Sequence, residues 1–227
     1  MILADCGTSY TKILDLSDGK LSIVETRQVV KNENRTFDAA TGHLGRLKSR
    51  LYKNELVCLA VGTLEITHDD NFCVVDIGGR DTKLVEFKNG KPLRLDWNMA
   101  CGANTGFTLE IVGRYYNVDY SILKPVDEYI DVTCGVFGIE RVFDAIISGV
   151  TEDIAIARFV HGVARNVHRV TDRKGRFYLS GGLTENACFM NSILKYAEVV
   201  PLGRAVLLEG LKIAMQDQDV MKRFILN

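Results

Sequence analysis

The sequence predicts an α/β fold with two lobes, built on an internal duplication. The octamers DCGTSYTK at residues 5–12 and DIGGRDTK at residues 76–83 carry Asp, Gly, Thr and Lys at the same places, 71 residues apart. In both copies the octamer joins strand-like apolar segments, and helical segments with a period near 3.6 follow. We therefore expect two lobes, residues 1–69 with 205–227 and residues 70–204, that face one another across a cleft suited to a nucleotide.

Composition and charge exclude several classes of protein. The 227 residues are 47% hydrophobic, with 28 basic and 29 acidic side chains and a net charge of -1. The pI is near 6.4, so the chain lacks the excess of positive charge that is typical of a general nucleic-acid binder. No apolar run reaches the roughly 18 residues of a membrane span, and no basic signal-peptide segment precedes Asp5. We predict a cytoplasmic protein that partners neither nucleic acid nor membrane.

The first half begins with a meander of strands. Ile2 to Leu16 is predicted as strand, turn and strand, because the glycine-containing segment 5–9 interrupts an otherwise apolar stretch. Residues 17–19, Ser-Asp-Gly, then indicate a turn, and Lys20 to Val30 reads as a third strand. A basic, solvated segment leads from there to a helix predicted over Leu56 to Ile66.

The second half repeats this arrangement. Residues 72–79 are predicted as a buried strand, and the Asn89-Gly90 signal predicts a hairpin between the next two strands. A long amphipathic helix is expected from Glu152 to Val170. After it come a strand at 177–179, a tight glycine turn at 180–183, a helix at 185–196 and a last helix at 205–215.

The duplicated octamers have the chemistry of a phosphate site. Glycine lets backbone N–H groups approach phosphate oxygens, hydroxyls donate to them, and carboxylates hold Mg²⁺ through its waters. A single loop of this kind is also found as a plain tight turn, but two copies in one chain favour a nucleotide clamp. The Gly181-Gly182 turn is suited to admit an adenine ring.

Two of the six cysteines differ in setting from the others. Disulfides are not expected in a reducing compartment, and Cys58, Cys73 and Cys188 lie in apolar segments typical of buried thiols. Cys101 and Cys134 are instead predicted at helix starts, where backbone N–H groups and the helix dipole favour a thiolate.

The segments around these two cysteines are similar. Cys101 precedes the N-cap types Asn104 and Thr105, and Cys134 follows a short strand predicted from Tyr129 to Thr133. From the residues alone, two interpretations remain open. The thiols are a pair of metal or redox ligands, or they are two further packed cysteines.

The motifs together resemble those of a known protein family. DCGTSYTK, DIGGRDTK and SGGLTEN are similar to the first phosphate, second phosphate and adenosine motifs of the actin, Hsp70 and sugar-kinase ATPase superfamily. NMACGANTGFTLE and VTCGVFGIERVF resemble the cluster-binding segments of one branch, the ATP-dependent activators of 2-hydroxyacyl-CoA dehydratases and the related benzoyl-CoA reductase ATPase subunits. The likeness runs from Asp5 to the last helix and implies a duplicated, ribonuclease H-like (actin-like ATPase) fold.

The resemblance implies a role for each matching residue. Asp5 and Asp76 would be the catalytic residues that serve Mg²⁺ and the attacking water. ATP or ADP would be bound by the first loop through Gly7, Thr8, Ser9 and Lys12, by the second through Gly78, Gly79 and Arg80, and at the adenosine by Gly181 and Gly182.

The same resemblance makes Cys101 and Cys134 iron-sulfur ligands. Two cysteines cannot complete the four-thiolate shell of a [4Fe–4S] cluster, whereas two chains related by a two-fold axis supply four. The implied assembly is a homodimer bridged by one cluster. Its implied partners are an acyl-CoA dehydratase or reductase-type enzyme and a reduced ferredoxin or flavodoxin as electron donor.

The chain departs from the family pattern in places. Arg80 stands where the family has Gln, and Asn104 where it has Gly. The helix expected between the third strand and ATGHLGR is missing, because only Lys31 to Arg35 separate them, so the first lobe is predicted to be trimmed. Two other functions are therefore weighed beside the electron-transferring activator: a small-molecule kinase of the same superfamily, and a nucleotide-sensing protein without catalysis.

Overall fold

The computed structural model describes residues 1–98 and 106–217 and contains two five-stranded sheets. The strands are β1 Ile2–Cys6, β2 Tyr10–Asp15, β3 Lys20–Glu25, β4 Phe37–Thr41, β5 Ser49–Tyr52, β6 Phe72–Ile77, β7 Thr82–Lys88, β8 Lys91–Asn98, β9 Arg176–Gly181 and β10 Glu198–Gly203. The helices are α1 Thr26–Lys31, α2 Gly45–Lys48, α3 Glu55–Thr67, α4 Gly106–Tyr116, α5 Gly135–Ile147, α6 Glu152–Val170, α7 Ala187–Ile193 and α8 Val206–Gln216.

The first sheet has the order β3-β2-β1-β4-β5. β1 pairs antiparallel with β2 and parallel with β4, so the sheet is mixed. β1 is buried from Leu3 to Cys6, as expected for a central strand covered on both faces. In this register Asp5 lies opposite Lys12 on one side and Thr41 on the other. The sheet thus places the first octamer's acidic and basic residues side by side.

The helices α3 and α8 approach each other closely at two glycines. A Cβ at Gly62 would lie 2.1 Å from the carbonyl oxygen of Val206, and one at Gly210 would lie 1.8 Å from that of Cys58. Real Cβ atoms do not come this near, so only glycine allows the two backbones to touch. The contact buries Cys58 completely.

The second sheet has the order β10-β9-β6-β7-β8. All six residues of β6 are buried, which fits its continuous apolar sequence and its central position. β7 and β8 form the predicted hairpin, and both turn residues have positive φ, 52° for Asn89 and 69° for Gly90. Such angles are those of the Asn-Gly type I′ turn.

The chain divides into two compact units. One comprises the described residues of Met1–Val74, Val85–Asp96 and Arg204–Asn227, and the other those of Val75–Leu84 and Trp97–Gly203. The lobe boundaries expected from the sequence stay a prediction. None of the described helices is both long and apolar enough to cross a lipid bilayer.

The third strand ends earlier than the sequence predicted. β3 stops at Glu25, and Thr26 begins the six-residue helix α1, where continuation to Val30 was expected. Thr26 donates through its backbone N–H to the carbonyl of Ser9 and through Oγ1 to that of Gly7. These contacts turn the chain out of the sheet. A short helix therefore lies between the third strand and ATGHLGR, where none was expected.

The strand predicted from Tyr129 to Thr133 is wrong. The segment is irregular, and its backbone bonds to α6 instead of to a strand. The Ile130 N–H donates to the carbonyl of Arg158 at 2.9 Å, and the Asn166 side chain donates to the carbonyl of Val132 at 2.6 Å. The segment whose alternating apolar residues resembled a strand lies against α6 instead.

The helix predicted over 185–196 is interrupted. A 3₁₀ turn at Gly182–Glu185 comes first, and α7 then begins after Asn186, whose side chain accepts from the N–H of Phe189 at 2.9 Å. Asn186 is therefore an ordinary N-cap, and it was the sequence signal for the later start of α7. The predicted helices at Glu152–Val170 and over 56–66 are confirmed.

Candidate functional site

The loop after β1 is fixed around a partly buried ion pair. Asp5 is 3% exposed, and its Oδ2 accepts from the Nζ of Lys12 at 2.5 Å. The two contacts from Thr26 described above hold the carbonyls of Gly7 and Ser9, so the loop that joins β1 to β2 has a set shape.

One polar atom in this loop lacks a protein partner. The hydroxyl Oγ of Ser9 is buried, and no hydrogen-bond partner for it occurs among residues 1–98 and 106–217. A buried hydroxyl without a partner costs free energy, on the order of 1–3 kcal/mol, unless a ligand or water satisfies it. The neighbouring Thr8 is exposed. The loop therefore offers hydroxyl donors of the kind that phosphate oxygens accept.

The loop after β6 also follows a buried aspartate, Asp76. This carboxylate is 5% exposed, and its Oδ1 accepts from the Oγ of Ser180 at 2.8 Å. Ser180 lies on β9, beside β6 in the sheet order. The Gly78 N–H donates back to the carbonyl of Asp81 at 2.9 Å and closes the turn.

The start of α4 rests on this second loop. The backbone N–H of Gly106 donates to the carbonyl of Gly78 at 2.9 Å, and that of Phe107 donates to the carbonyl of Gly79 at 3.1 Å. These N–H groups are among the four that a helix cannot satisfy internally at its N-terminus. The loop thus caps the helix.

A chain of charged groups lies beneath the second loop. Lys83 Nζ is 2.5 Å from Asp81 Oδ1 and 3.7 Å from Asp76 Oδ2, and all three residues are buried. The other oxygen of Asp81 accepts from the indole Nε1 of Trp97 at 2.9 Å. Burial of charges at this density is tolerated only when each is paired, as here.

The third loop approaches the second at its backbone. Gly181 has φ 101°, and a Cβ there would lie 2.3 Å from the carbonyl oxygen of Ile77. Glycine is therefore required at this position for two reasons, its backbone conformation and the space available. A Cβ at Gly106 would lie 3.9 Å from Leu183, so the glycine turn also reaches the start of α4. The structure thus places Gly181, Asp76 and α4 together.

Cys134 is at the position predicted for it. It is the N-cap residue of α5, with φ −139° and ψ 143°, and it is half-buried. Its carbonyl accepts from the N–H of Gly138 at 2.8 Å, while the preceding Val132 is held by Asn166. Cys101, with Asn104 and Thr105, lies outside the described residues, but α4 begins at Gly106, where the sequence predicted a helix.

Four of the described cysteines are buried, among them the three expected to be packed, Cys58, Cys73 and Cys188. Burial raises the pKa of Cys6 to about 12, with Asp5 adding to the effect, and raises the pKa of Cys58 to about 12. Burial also raises the pKa of Cys188 to about 11. Cys73 is buried in β6 as well. The thiols of Cys6, Cys58 and Cys188 are therefore neutral near pH 7, unlike a thiolate ligand.

Sequence reasoning missed three residues of the site. Ser180 orients Asp76, Asp81 holds Lys83, and Trp97 holds Asp81. Asp81 carried a usable signal, since it adds a second carboxylate to the second octamer where the first has Tyr10. Arg80, expected at the phosphates, is exposed.

Comparison with known proteins decides the family. The sequence profile described as the BadF/BadG/BcrA/BcrD ATPase family matches residues 10–202. The chain belongs to this family. Among its relatives is the (R)-2-hydroxyglutaryl-CoA dehydratase activating ATPase of Acidaminococcus fermentans, 27% identical over 215 residues that cover 80% of this chain and 82% of the relative. The 2-hydroxyisocaproyl-CoA dehydratase activator of Clostridioides difficile is 26% identical over 152 residues, covering 63% of this chain and 57% of the relative.

Two solved structures have the same fold. The activator of the 2-hydroxyisocaproyl-CoA dehydratase from Clostridium difficile, with bound ADPNP, superposes with a TM-score of 0.78 at 20% identity, covering 100% of this chain and 98% of that one. Component A of the (R)-2-hydroxyglutaryl-CoA dehydratase of Acidaminococcus fermentans gives 0.74 at 23% identity, with 93% and 94% covered. The predicted α/β fold of the actin-like ATPase type is confirmed.

Proposed function

We propose that this chain is an ATP-hydrolysing activator that delivers a low-potential electron to an acyl-CoA dehydratase or reductase-type enzyme. Its membership of an ATPase family and its similarity to dehydratase activators support this function. The observation that carries it is the repeated site. Two buried aspartates, Asp5 and Asp76, occupy the same place in duplicated loops, and each lies within reach of the lysine of its own octamer.

ATP and ADP are the proposed ligands of the duplicated loops. The unpartnered Ser9 hydroxyl supports phosphate binding at the first loop, together with Gly7, Thr8 and Lys12. Gly78, Gly79 and Arg80 would serve the phosphates at the second loop, and Gly181 and Gly182 the adenosine. A relative with ADPNP bound has the same fold.

The acidic residues fit Mg²⁺. This ion prefers oxygen ligands and is usually held by one or two carboxylates, its waters and the substrate's phosphates. Asp5 and Asp76 are carboxylates near the ends of β1 and β6, next to glycine-containing loops, and Ser180 already fixes the orientation of Asp76. When bound, Mg²⁺ neutralises charge on the phosphates. Asp5 and Asp76 would together serve the hydrated ion and the attacking water.

The cluster half of the proposal rests on Cys134 and its surroundings. Among the side chains near the starts of α4 and α5, Phe107, Val136 and Phe137 are 48%, 70% and 62% exposed. Large apolar side chains in solvent beside a helix-capping cysteine are typical of a surface that another chain covers. We propose that a second copy covers it and that Cys101 and Cys134 of both copies hold one [4Fe–4S] cluster.

Nucleotide binding would reach the cluster through α4. The loop carbonyls of Gly78 and Gly79 cap this helix, and the segment of Cys101 precedes it. If ATP and ADP hold the loop differently, the start of α4 moves with it and changes how the cluster is presented. A nucleotide shifts such an equilibrium only by its different affinity for the two states. A reduced ferredoxin or flavodoxin is the proposed electron donor.

The nucleotide half is tested by calorimetry and phosphate release. Wild-type protein is expected to bind ADP and ATP and to release phosphate only with Mg²⁺. Asp76→Ala should reduce hydrolysis by at least about a hundredfold while nucleotide binding stays within a few-fold. Absence of nucleotide binding at millimolar concentration would exclude both this function and the kinase, and binding without hydrolysis would indicate a nucleotide sensor.

The cluster half is tested by iron content. Protein purified without oxygen should contain about four iron atoms per dimer and absorb in the visible range. Cys134→Ala should lose both, whereas Cys188→Ala, a buried thiol on α7, should retain them. Colourless protein after anaerobic iron-sulfide reconstitution would contradict the cluster and favour the kinase.

A further inference from the structure

The two duplicated loops use their lysines differently. In the first, Lys12 Nζ contacts Asp5 Oδ2 at 2.5 Å. Lys83 has the same place in the second octamer, but its ammonium contacts Asp81 at 2.5 Å and lies 3.7 Å from Asp76. Lys12 thus neutralises Asp5 directly in the first copy. In the second copy Lys83 is closer to Asp81 than to Asp76.

Asp81 is fixed at both of its oxygens. Oδ1 accepts from Lys83 and Oδ2 accepts from the indole of Trp97, whose ring centroid is 5.4 Å from the same ammonium. Asp81 and Lys83 are 8% and 3% exposed, so water does not compete for either group. Trp97 is the only tryptophan in the chain. The carboxylate cannot turn away from Lys83 without losing the indole hydrogen bond.

An ammonium in contact with a carboxylate competes with any other cation for it. The ammonium offsets the negative charge of the carboxylate and so weakens its attraction for Mg²⁺, and this effect falls with distance. Lys12 contacts Asp5 at 2.5 Å, whereas Asp81 holds Lys83 at 3.7 Å from Asp76, so the competing charge is closer in the first loop. Asp76 Oδ1 is engaged by the neutral hydroxyl of Ser180, which adds no competing charge.

We infer that Asp81, anchored by Trp97, is a positioning residue that keeps Lys83 from closing onto Asp76 Oδ2, so that the hydrated divalent cation can reach this oxygen. The inference rests on the proposed function, in which Asp5 and Asp76 serve Mg²⁺ and the attacking water. It goes further in assigning the stronger cation affinity to the second loop rather than to the first. The extra carboxylate of the second octamer, Asp81, therefore gives the two duplicated loops different affinities for the cation.

Mn²⁺ binding to ADP-saturated protein, followed by electron paramagnetic resonance of the free ion, tests this without relying on hydrolysis. Asp81→Asn keeps the shape of the side chain but removes its negative charge. Lys83 should then pair with Asp76, and Mn²⁺ binding should weaken about tenfold. The double variant Asp81→Asn with Lys83→Met removes the competing ammonium and should return to within about threefold of wild type. Asp81→Glu, which keeps the charge, should also stay within about threefold.

Asp96→Asn is the matched control. Asp96 precedes Trp97 in the sequence and pairs with Arg94 at 2.8 Å. Removal of the Asp96 charge should leave Mn²⁺ binding unchanged. The inference is overturned if Asp81→Asn binds Mn²⁺ as wild type does, or if the double variant remains as weak as Asp81→Asn. Wild-type protein that holds Mn²⁺ no better than ADP alone would instead overturn the proposed function.

Discussion

The side-chain amide of Asn166, on α6, donates to the carbonyl oxygen of Val132 at 2.6 Å, two residues before Cys134. The Ile130 N–H donates to α6 in the same stretch, so the chain leading to the cysteine is held by a helix. The position of the thiol therefore depends on α6 as much as on its own helix α5.

Loss of this hydrogen bond should loosen the Cys134 segment. We expect Asn166→Ala to lower the free energy of unfolding by about 1–3 kcal/mol, because it leaves a carbonyl without its partner. If the cluster is present, the variant should also lose iron to a chelator faster than wild type. Urea denaturation and chelator-dependent bleaching measure the two effects. Asn34→Ala, at an exposed loop position, should change unfolding by less than about 0.5 kcal/mol.

The contact between α3 and α8 should not tolerate a methyl group. We expect Gly210→Ala to lower the free energy of unfolding by about 3 kcal/mol or more, because its Cβ would lie 1.8 Å from the carbonyl of Cys58. Gly175→Ala is the control, since nothing lies within 4 Å of a Cβ there, and it should be neutral or slightly stabilising. Equal urea midpoints for the two variants would contradict the close helix contact.

The buried His161 should make stability fall in mild acid. Its Nδ1 contacts the carbonyl of Glu128 at 3.1 Å and so donates, which leaves Nε2 to accept from the Tyr196 hydroxyl at 2.7 Å. Burial lowers the pKa of His161, and the nearby Lys195 acts in the same direction, whereas the Glu128 carbonyl and Asp127 oppose it.

The sign of the pH dependence follows from this lowered pKa. The unfolded chain, with an ordinary histidine pKa near 6.5, takes up a proton before the folded one does. The contribution of His161 is therefore complete above about pH 6.5 and is lost as the pH falls below it. Unfolding free energies measured between about pH 7.5 and 5 should decline less in His161→Gln than in wild type. His43→Gln, an exposed histidine, should follow the wild-type curve.

Ser180 should affect turnover more than nucleotide affinity. Its hydroxyl holds Asp76 Oδ1, and a hydrogen bond to a carboxylate contributes about 1.5–3 kcal/mol. Ser180→Ala should therefore lower kcat for ATP hydrolysis about tenfold or more, with the Kd for ADP within about threefold. Ser192→Ala removes an equally buried hydroxyl that donates to the carbonyl of Cys188 within α7. A fall in kcat of the same size in Ser192→Ala would indicate a general loss of packing.

The sequence determined the local elements of this protein. The octamer repeat marked both aspartate loops, the Asn-Gly pair marked the β7–β8 hairpin, and the 3.6-residue period fixed α6 from Glu152 to Val170. These features depend on neighbouring residues, through turn geometry and the alternation of apolar side chains, so a pattern is enough to predict them. The roles assigned to the loop residues and cysteines stay predictions.

The tertiary structure alone decided the partners of those elements. Ser180 meets Asp76 across 104 residues of chain, Lys83 turns to Asp81 rather than to Asp76, and the apparent strand at 129–133 lies on α6. Each outcome depends on which buried polar group lies near enough to satisfy another once distant segments pack. Local patterns carry no information about such distances, because a hydrogen bond or ion pair is set by position in space and not by separation along the chain.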